Sequence, residues 1–188
     1  MKKDSRTHES GLVEAARNGD REAFRALVEA HQGRVSATVI GMLGPGPEAE
    51  DIGQETFLRF YRALPKFRGD SRVATYLTRI ALNLCFDAIK RRMRGRKLYF
   101  SDSEAEMKNA PDSTVSNNPG EARNLIRRGL QQLAPKFRSV LVLRLMDGYT
   151  VRETAEILGL PPGTVLSRMA RAQEKMKSFL EGDGNENP

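Results

Sequence analysis

Cysteine, histidine, tryptophan and long apolar runs are what this 188-residue chain has least of. Its one cysteine, Cys85, cannot close an internal disulfide, which implies a reducing compartment. Two histidines and one cysteine cannot build the usual structural zinc site, so no metal and no other cofactor is expected. Tryptophan is absent and aromatic residues are only 6% of the chain. The most apolar stretch, Leu77 to Ile89, is broken by Arg79, Asn83 and Asp87 and falls short of the ~20 residues a bilayer crossing needs. Met1 to Asp20 mixes Lys2, Lys3, Asp4, Arg6 and Glu9 with no apolar centre, unlike a secretory leader. The expectation is a soluble cytoplasmic protein with no direct membrane insertion.

Positive charge is what the chain has. Lys and Arg number 31 against 24 Asp and Glu, a formal net charge of +7, which favours an anionic partner, nucleic acid before a membrane surface. Hydrophobic residues at 39% and charged residues at 29% are ordinary for a folded chain. The length suits one compact domain or two small ones.

Apolar residues recur at helical spacing, and no run alternates as a half-buried strand would, so the fold class is all-α. A short helix is expected around Gly11 to Asn18. Asp20 is a good N-cap for the next helix, whose face carries Phe24, Leu27, Val28, Val35 and Val39 until Gly44-Pro45-Gly46-Pro47 ends it. A third opens on Glu48, Glu50 and Asp51, where carboxylates suit the helix dipole, and runs through Ile52, Phe57, Phe60, Tyr61 and Leu64. After a loop comes a longer helix from about Ala74 to Arg94. Residues 101–120 are acidic, rich in Ser and Asn and nearly free of large apolar groups, which reads as a flexible linker. Beyond it Leu125, Ile126, Leu130 and Leu133 mark one helix, and Phe137, Val140, Leu141 and Leu145 another ending at Gly148. The expected plan is therefore two small helical domains, 20–98 and 121–181, joined by an acidic linker, 99–120. An N-terminal segment, 1–19, and a polar tail, 182–188, flank them.

The sharpest local signal lies in the second domain. Thr150-Val151-Arg152-Glu153 has the capping-box pattern of a helix start. Ala155 is small enough for close helix packing, Gly159 can take the left-handed corner, and Val165 follows as an apolar lock, which is helix-turn-helix spacing. The second helix, about Pro162 to Leu180, keeps Val165, Met169 and Met176 for the inside. Thr164, Ser167, Arg168 and Arg171 lie outside, and hydroxyls and guanidiniums are the groups that bind phosphates and base edges.

A second signal lies in the first domain. Lys66 to Lys97 carries ten basic residues and two acids, a net of +8. Phe67 and Tyr76 offer rings that could stack on unpaired bases, and Asn83 an amide for a base edge.

With these residues in view, the chain resembles bacterial RNA polymerase sigma factors of the extracytoplasmic-function (ECF) group. The likeness rests on Ala49-Glu50-Asp51-Ile52-Gly53-Gln54-Glu55-Thr56-Phe57, Phe67-Arg68-Gly69-Asp70-Ser71, Tyr76-Leu77-Thr78-Arg79-Ile80-Ala81-Leu82-Asn83 and Gly163-Thr164-Val165 with Ser167-Arg168. It spans about Asp20 to Leu98 and Glu121 to Leu180. The resemblance implies a non-enzymatic subunit that takes core RNA polymerase to promoter DNA and helps open it, and that an anti-sigma factor holds inactive. It implies core binding by Asp51, Gln54 and Glu55. Minus-ten DNA would meet Phe67, Arg68, Asp70, Ser71, Tyr76, Asn83, Lys90 and Arg91. Minus-thirty-five DNA would meet Thr164, Ser167, Arg168 and Arg171. No small-molecule substrate is implied.

The chain departs from the family pattern at three positions. Tyr76 stands where the family commonly has Trp, and Leu166 and Gln173 where arginine is common. A free-standing helix-turn-helix regulator would leave Lys66 to Lys97 unexplained. A nucleic-acid-processing enzyme would need a metal cluster, nucleotide loop or activated nucleophile, and none of these patterns occurs in the sequence.

Overall fold

The computed structural model describes residues 2–69, 71–99 and 119–183, all of them in helices or short connections. The acidic segment expected to be a linker lies almost wholly outside the described residues. Helix α1 spans Lys2–Arg17, α2 Arg21–Leu43, α3 Pro47–Ala63 and α4 Val73–Tyr99, with a single 3₁₀ turn at Leu64–Lys66. The second half holds α5 (Pro119–Gln132), α6 (Pro135–Leu141), α7 (Val151–Leu158) and α8 (Pro162–Asp183). A π-helical turn, Val142–Met146, continues α6.

Local chemistry accounts for most boundaries. The Asp20 carboxylate accepts from the Glu22 and Ala23 amides, 2.9 and 3.1 Å, and starts α2. Gly44, at φ 83°, ends it. Pro47 opens α3, where its missing N–H costs nothing. Two helices outrun the sequence expectation: α1 begins nine residues before Gly11 and α4 reaches Tyr99 rather than Arg94. The first extension holds Lys2, Lys3, Arg6 and Glu9, and the second Arg96 and Lys97. Such residues propagate a helix well but leave no apolar periodicity to detect.

The four helices of the first half enclose Leu27, Val39, Met42, Phe60, Leu64, Leu77 and Leu82, all fully buried. Cys85 belongs to this core, and desolvation pushes its thiol up to about 12. It is the small core residue its helical neighbours suggested. In the second half, Leu130, Leu133, Phe137, Leu141 and Ala172 form one cluster, and Val140, Ala155 and Val165 another.

The halves also share a core. Val142, Leu143, Tyr149 and Ile157 pack into the same cluster as the apolar residues of α2 and α4. Gly41 makes room for this: a Cβ there would lie 2.8 Å from Val142 Cγ2 and 3.0 Å from Met146 Sδ. The last carbonyls of α2 have no partner within their own helix. Arg138 donates to Met42 O and Gln131 Nε2 to Gly41 O at 3.4 Å, so the second half caps a helix of the first. Thr38 donates to Asp147 Oδ2 at 2.8 Å, and the Thr78 and Tyr149 hydroxyls lie 2.9 Å apart. Arg79 donates to Glu156 O at 2.8 Å, and the Arg34 guanidinium sits 5.3 Å over the Tyr149 ring.

Candidate polymerase and DNA contact surfaces

The helix-turn-helix is built as its residue types dictate. The Thr150 hydroxyl accepts from the Glu153 amide at 3.2 Å while the Glu153 carboxylate accepts from the Thr150 amide at 2.9 Å, a closed capping box. Those bonds to Thr150 hold the Glu153 carboxyl below its ordinary range. Gly159 takes the left-handed conformation, φ 64° and ψ 39°, and the Leu160 amide reaches back to Ala155 O at 2.9 Å. Ala155 and Val165 meet in one buried cluster at the crossing of α7 and α8.

With Val165, Met169, Ala172 and Met176 turned inward, α8 presents Thr164, Ser167, Arg168 and Arg171 together. Ser167 and Arg171 are exposed; Thr164 and Arg168 are half-buried. The Ser167 hydroxyl donates to Thr164 O at 3.1 Å, leaving its lone pairs outward. Leu166 and Gln173 are also exposed on this helix.

On α3, Asp51 and Gln54 are exposed and Glu55 is half-buried. Arg59 donates to Glu55 at 2.9 Å, and that bond holds the carboxyl below its ordinary range. Leu58 and Tyr61 stand on the same face, about half exposed, so the acids border an apolar strip. Tyr61 lies on the run of large side chains along the third helix. It is a surface residue whose ring packs edge-on against Phe24, centroids 4.9 Å apart. The i, i+4, i+7 recurrence of Gln54, Leu58 and Tyr61 could have disclosed the strip.

The loop before α4 departs from the expectation at Phe67. Its ring is buried, 5.8 Å from Phe60 and 5.0 Å from Tyr76, and acts as core rather than an open stacking platform. A ring with two aromatic neighbours gains more by burial than by facing water. Tyr76 is half-buried, Arg68 exposed and Ser71 half-buried, while Asp70 lies outside the described residues. Tyr76, Asn83 and Lys90 recur at seven-residue spacing along α4, and Asn83 and Lys90 are exposed. Arg91 is exposed at 3.9 Å from Glu48, and Arg92 pairs with the same carboxylate. Glu48, read from the sequence as a helix-dipole residue alone, thus also offsets part of the basic run.

His31, a lone histidine in the sequence, has its Nε2 2.8 Å from Glu9 Oε1. Among the described residues no group of His, Cys, Asp and Glu could hold a metal ion, and no helix is long and apolar enough to cross a membrane.

A helix-turn-helix on one side, and an acid-bordered helix and a basic helix bearing Tyr76 on the other, define a class. The chain belongs to the sigma-70 family: residues 27–95 match Sigma-70 region 2 and residues 123–176 match Sigma-70, region 4. Within it, the chain is an ECF-type RNA polymerase sigma factor, a non-enzymatic protein that directs RNA polymerase to promoters. It is 35% identical over 183 residues to the ECF RNA polymerase sigma-E factor of Escherichia coli (strain K12), covering 90% of this chain and 93% of that one. It is 33% identical over 180 residues to the RNA polymerase sigma-H factor of Pseudomonas aeruginosa, covering 90% and 92%. Among solved structures it is similar to CnrH in complex with the cytosolic domain of CnrY, with a TM-score of 0.69, 27% identity and 92% and 96% coverage.

Proposed function

We propose that the promoter-directing work is divided between the two halves. The α3 face of Asp51, Gln54 and Glu55, with Leu58 and Tyr61 beside them, docks on core RNA polymerase. The loop carrying Arg68, Asp70 and Ser71, with Tyr76 and Asn83 on α4, holds the unpaired minus-ten strand; Phe67 supports it from beneath. Lys90 and Arg91 lie against phosphates and set salt dependence more than sequence choice. Thr164, Ser167, Arg168 and Arg171 read the minus-thirty-five element from the major groove. The domain limits 20–98 and 121–181 describe these halves, and the protein works in the bacterial cytoplasm. An anti-sigma factor is its inhibitory partner, by analogy with CnrH, whose structure contains CnrY.

The observation that carries this reading is the outward face of α8, held in position by the capping box and by the Gly159 corner. In vitro transcription with purified core polymerase tests it. The expected result is initiation at defined promoters only when this protein is added; tight operator binding by the protein alone, with no core association, would refute it. Gln54→Ala with Glu55→Ala should weaken core binding with the thermal midpoint unchanged. Arg171→Ala should cost about 1–3 kcal/mol of upstream-element affinity if it contacts a base. An equal loss on every sequence would assign Arg171 to a phosphate instead.

A further inference from the structure

Leu166 is a large apolar side chain of α8 that the core does not use. Val165 before it is fully buried, and Met169, Ala172 and Met176 supply the rest of the inward face, whereas 54% of Leu166 is open to solvent. Successive residues of a helix turn by about 100°, which sets Leu166 and Ala170 one turn apart on one ridge, with Ser167 and Arg171 on the ridge beside it. Ala170, Ser167 and Arg171 are exposed as well. Two apolar side chains therefore run along the outward face of α8 directly beside two hydrogen-bonding ones.

A leucine left half open to water gains stability from any apolar surface that covers it. On the neighbouring ridge, the Ser167 hydroxyl gives its proton to Thr164 O at 3.1 Å, so only its lone pairs face outward. In that state it accepts from an amino group and cannot serve a carbonyl. The major-groove edge of an A·T pair carries both complements, the adenine N6 amino group and the thymine C5 methyl. A G·C pair offers an amino donor on cytosine but no methyl on that edge. The acceptor and the apolar ridge together match A·T rather than G·C.

We infer that Leu166, with Ala170 one turn behind it, is a specificity-determining residue that packs against the C5 methyl of a thymine in the upstream element. The inference rests on the reading of α8 as the helix that enters the major groove there, and it names a base which that helix selects. Ser167 and Arg171 supply hydrogen bonds to the same stretch of groove, and Leu166 supplies the apolar contact. Covering one methyl group corresponds to about a fourfold gain in affinity.

The test removes the methyl and nothing else. Promoter-length duplexes of random sequence are selected for binding to core polymerase carrying the full-length chain, and each thymine of the selected upstream element is then replaced singly by deoxyuridine. Fluorescence anisotropy at fixed salt should show about fourfold weaker binding for the exchange at one thymine or more. Leu166→Ala should bind the thymine and deoxyuridine forms of that duplex alike, Leu166→Met should keep part of the difference, and neither variant should shift the thermal midpoint. Three results would overturn the inference: no thymine of the element responds to the exchange, the response is as large in Leu166→Ala, or Leu166→Ala weakens every duplex equally, which would turn Leu166 toward the polymerase instead. A selected pool with no preferred upstream sequence would overturn the reading of α8 itself.

Discussion

Arg138 shows how much one buried side chain can join. It stands nearly inaccessible to solvent, and its guanidinium donates to Met42 O of the first half and to Gln131 Oε1, Gln131 O and Leu133 O of its own. All four acceptors are neutral oxygens, so its charge is met by carbonyl dipoles, and burial lowers its pKa to about 10, still charged at neutral pH. Arg138→Ala would strip those carbonyls of their donor. It should cost about 2–4 kcal/mol in urea denaturation. Arg138→Lys should recover little, because an ammonium on a flexible stem cannot span the fork. From the sequence, Arg138 reads as one more contributor to a positive net charge. Only its surroundings distinguish it from exposed Arg171.

At the scale of the element, the helix-turn-helix was legible because its devices are local. A capping box needs residues three apart, a left-handed corner needs one glycine, and both act before any distant contact forms. Gly159→Ala should destabilise the second half by about 1–2 kcal/mol through its positive φ alone, since no atom lies within 4 Å of the added Cβ. Thr150→Ala should cost about 1 kcal/mol by opening the cap. Thermal denaturation followed by circular dichroism measures both. The same local logic failed at Phe67, where ring chemistry suggested an open stacking platform and the packing makes the ring core. The hold of α1 on the loop before α4 was equally hidden, because Arg17 donates to Leu64 O and Phe67 O across a separation of about fifty residues.

At the scale of the molecule, the halves are closed upon each other. On the proposed reading they contact DNA elements about 25 base pairs apart, some 85 Å along the duplex at 3.4 Å per step. A compact chain of this length has a radius of gyration of about 16 Å. The halves must therefore part to reach both elements. Among the described residues, Arg138 Nε, Arg144 Nε and Asp147 Oδ1 of the second half are buried without a hydrogen-bond partner, which costs the closed form stability. Asp147 links this to pH. Burial raises its pKa from an ordinary 3.8 to about 6, against the opposing effects of the Thr38 bond and the Arg34 charge. The closed form thus holds the Asp147 proton more tightly than an open one. Its stability falls as pH rises between about 4 and 6, and the penalty is complete above that. Asp147→Asn should remove the penalty, on the order of 1–3 kcal/mol, and favour the closed form at pH 7.5. Small-angle X-ray scattering should show a smaller radius of gyration for the variant, with weaker core binding. Identical scattering across pH 5–8 for both proteins would refute the linkage.

The sequence by itself determined the all-helical class, the order of the helices, the capped helix-turn-helix and the two concentrations of positive charge. Each of these depends on residues within a few turns of one another, or on composition alone. Tertiary structure decided which rings are core, which face of α3 is open, that α1 holds the loop before α4, and that Arg138, Asp147 and Tyr149 bind one half to the other. Those outcomes depend on pairings such as Thr38 with Asp147, 109 residues apart. No local pattern encodes such a pairing, because the free energy that selects it comes from surfaces that meet only when the chain has folded.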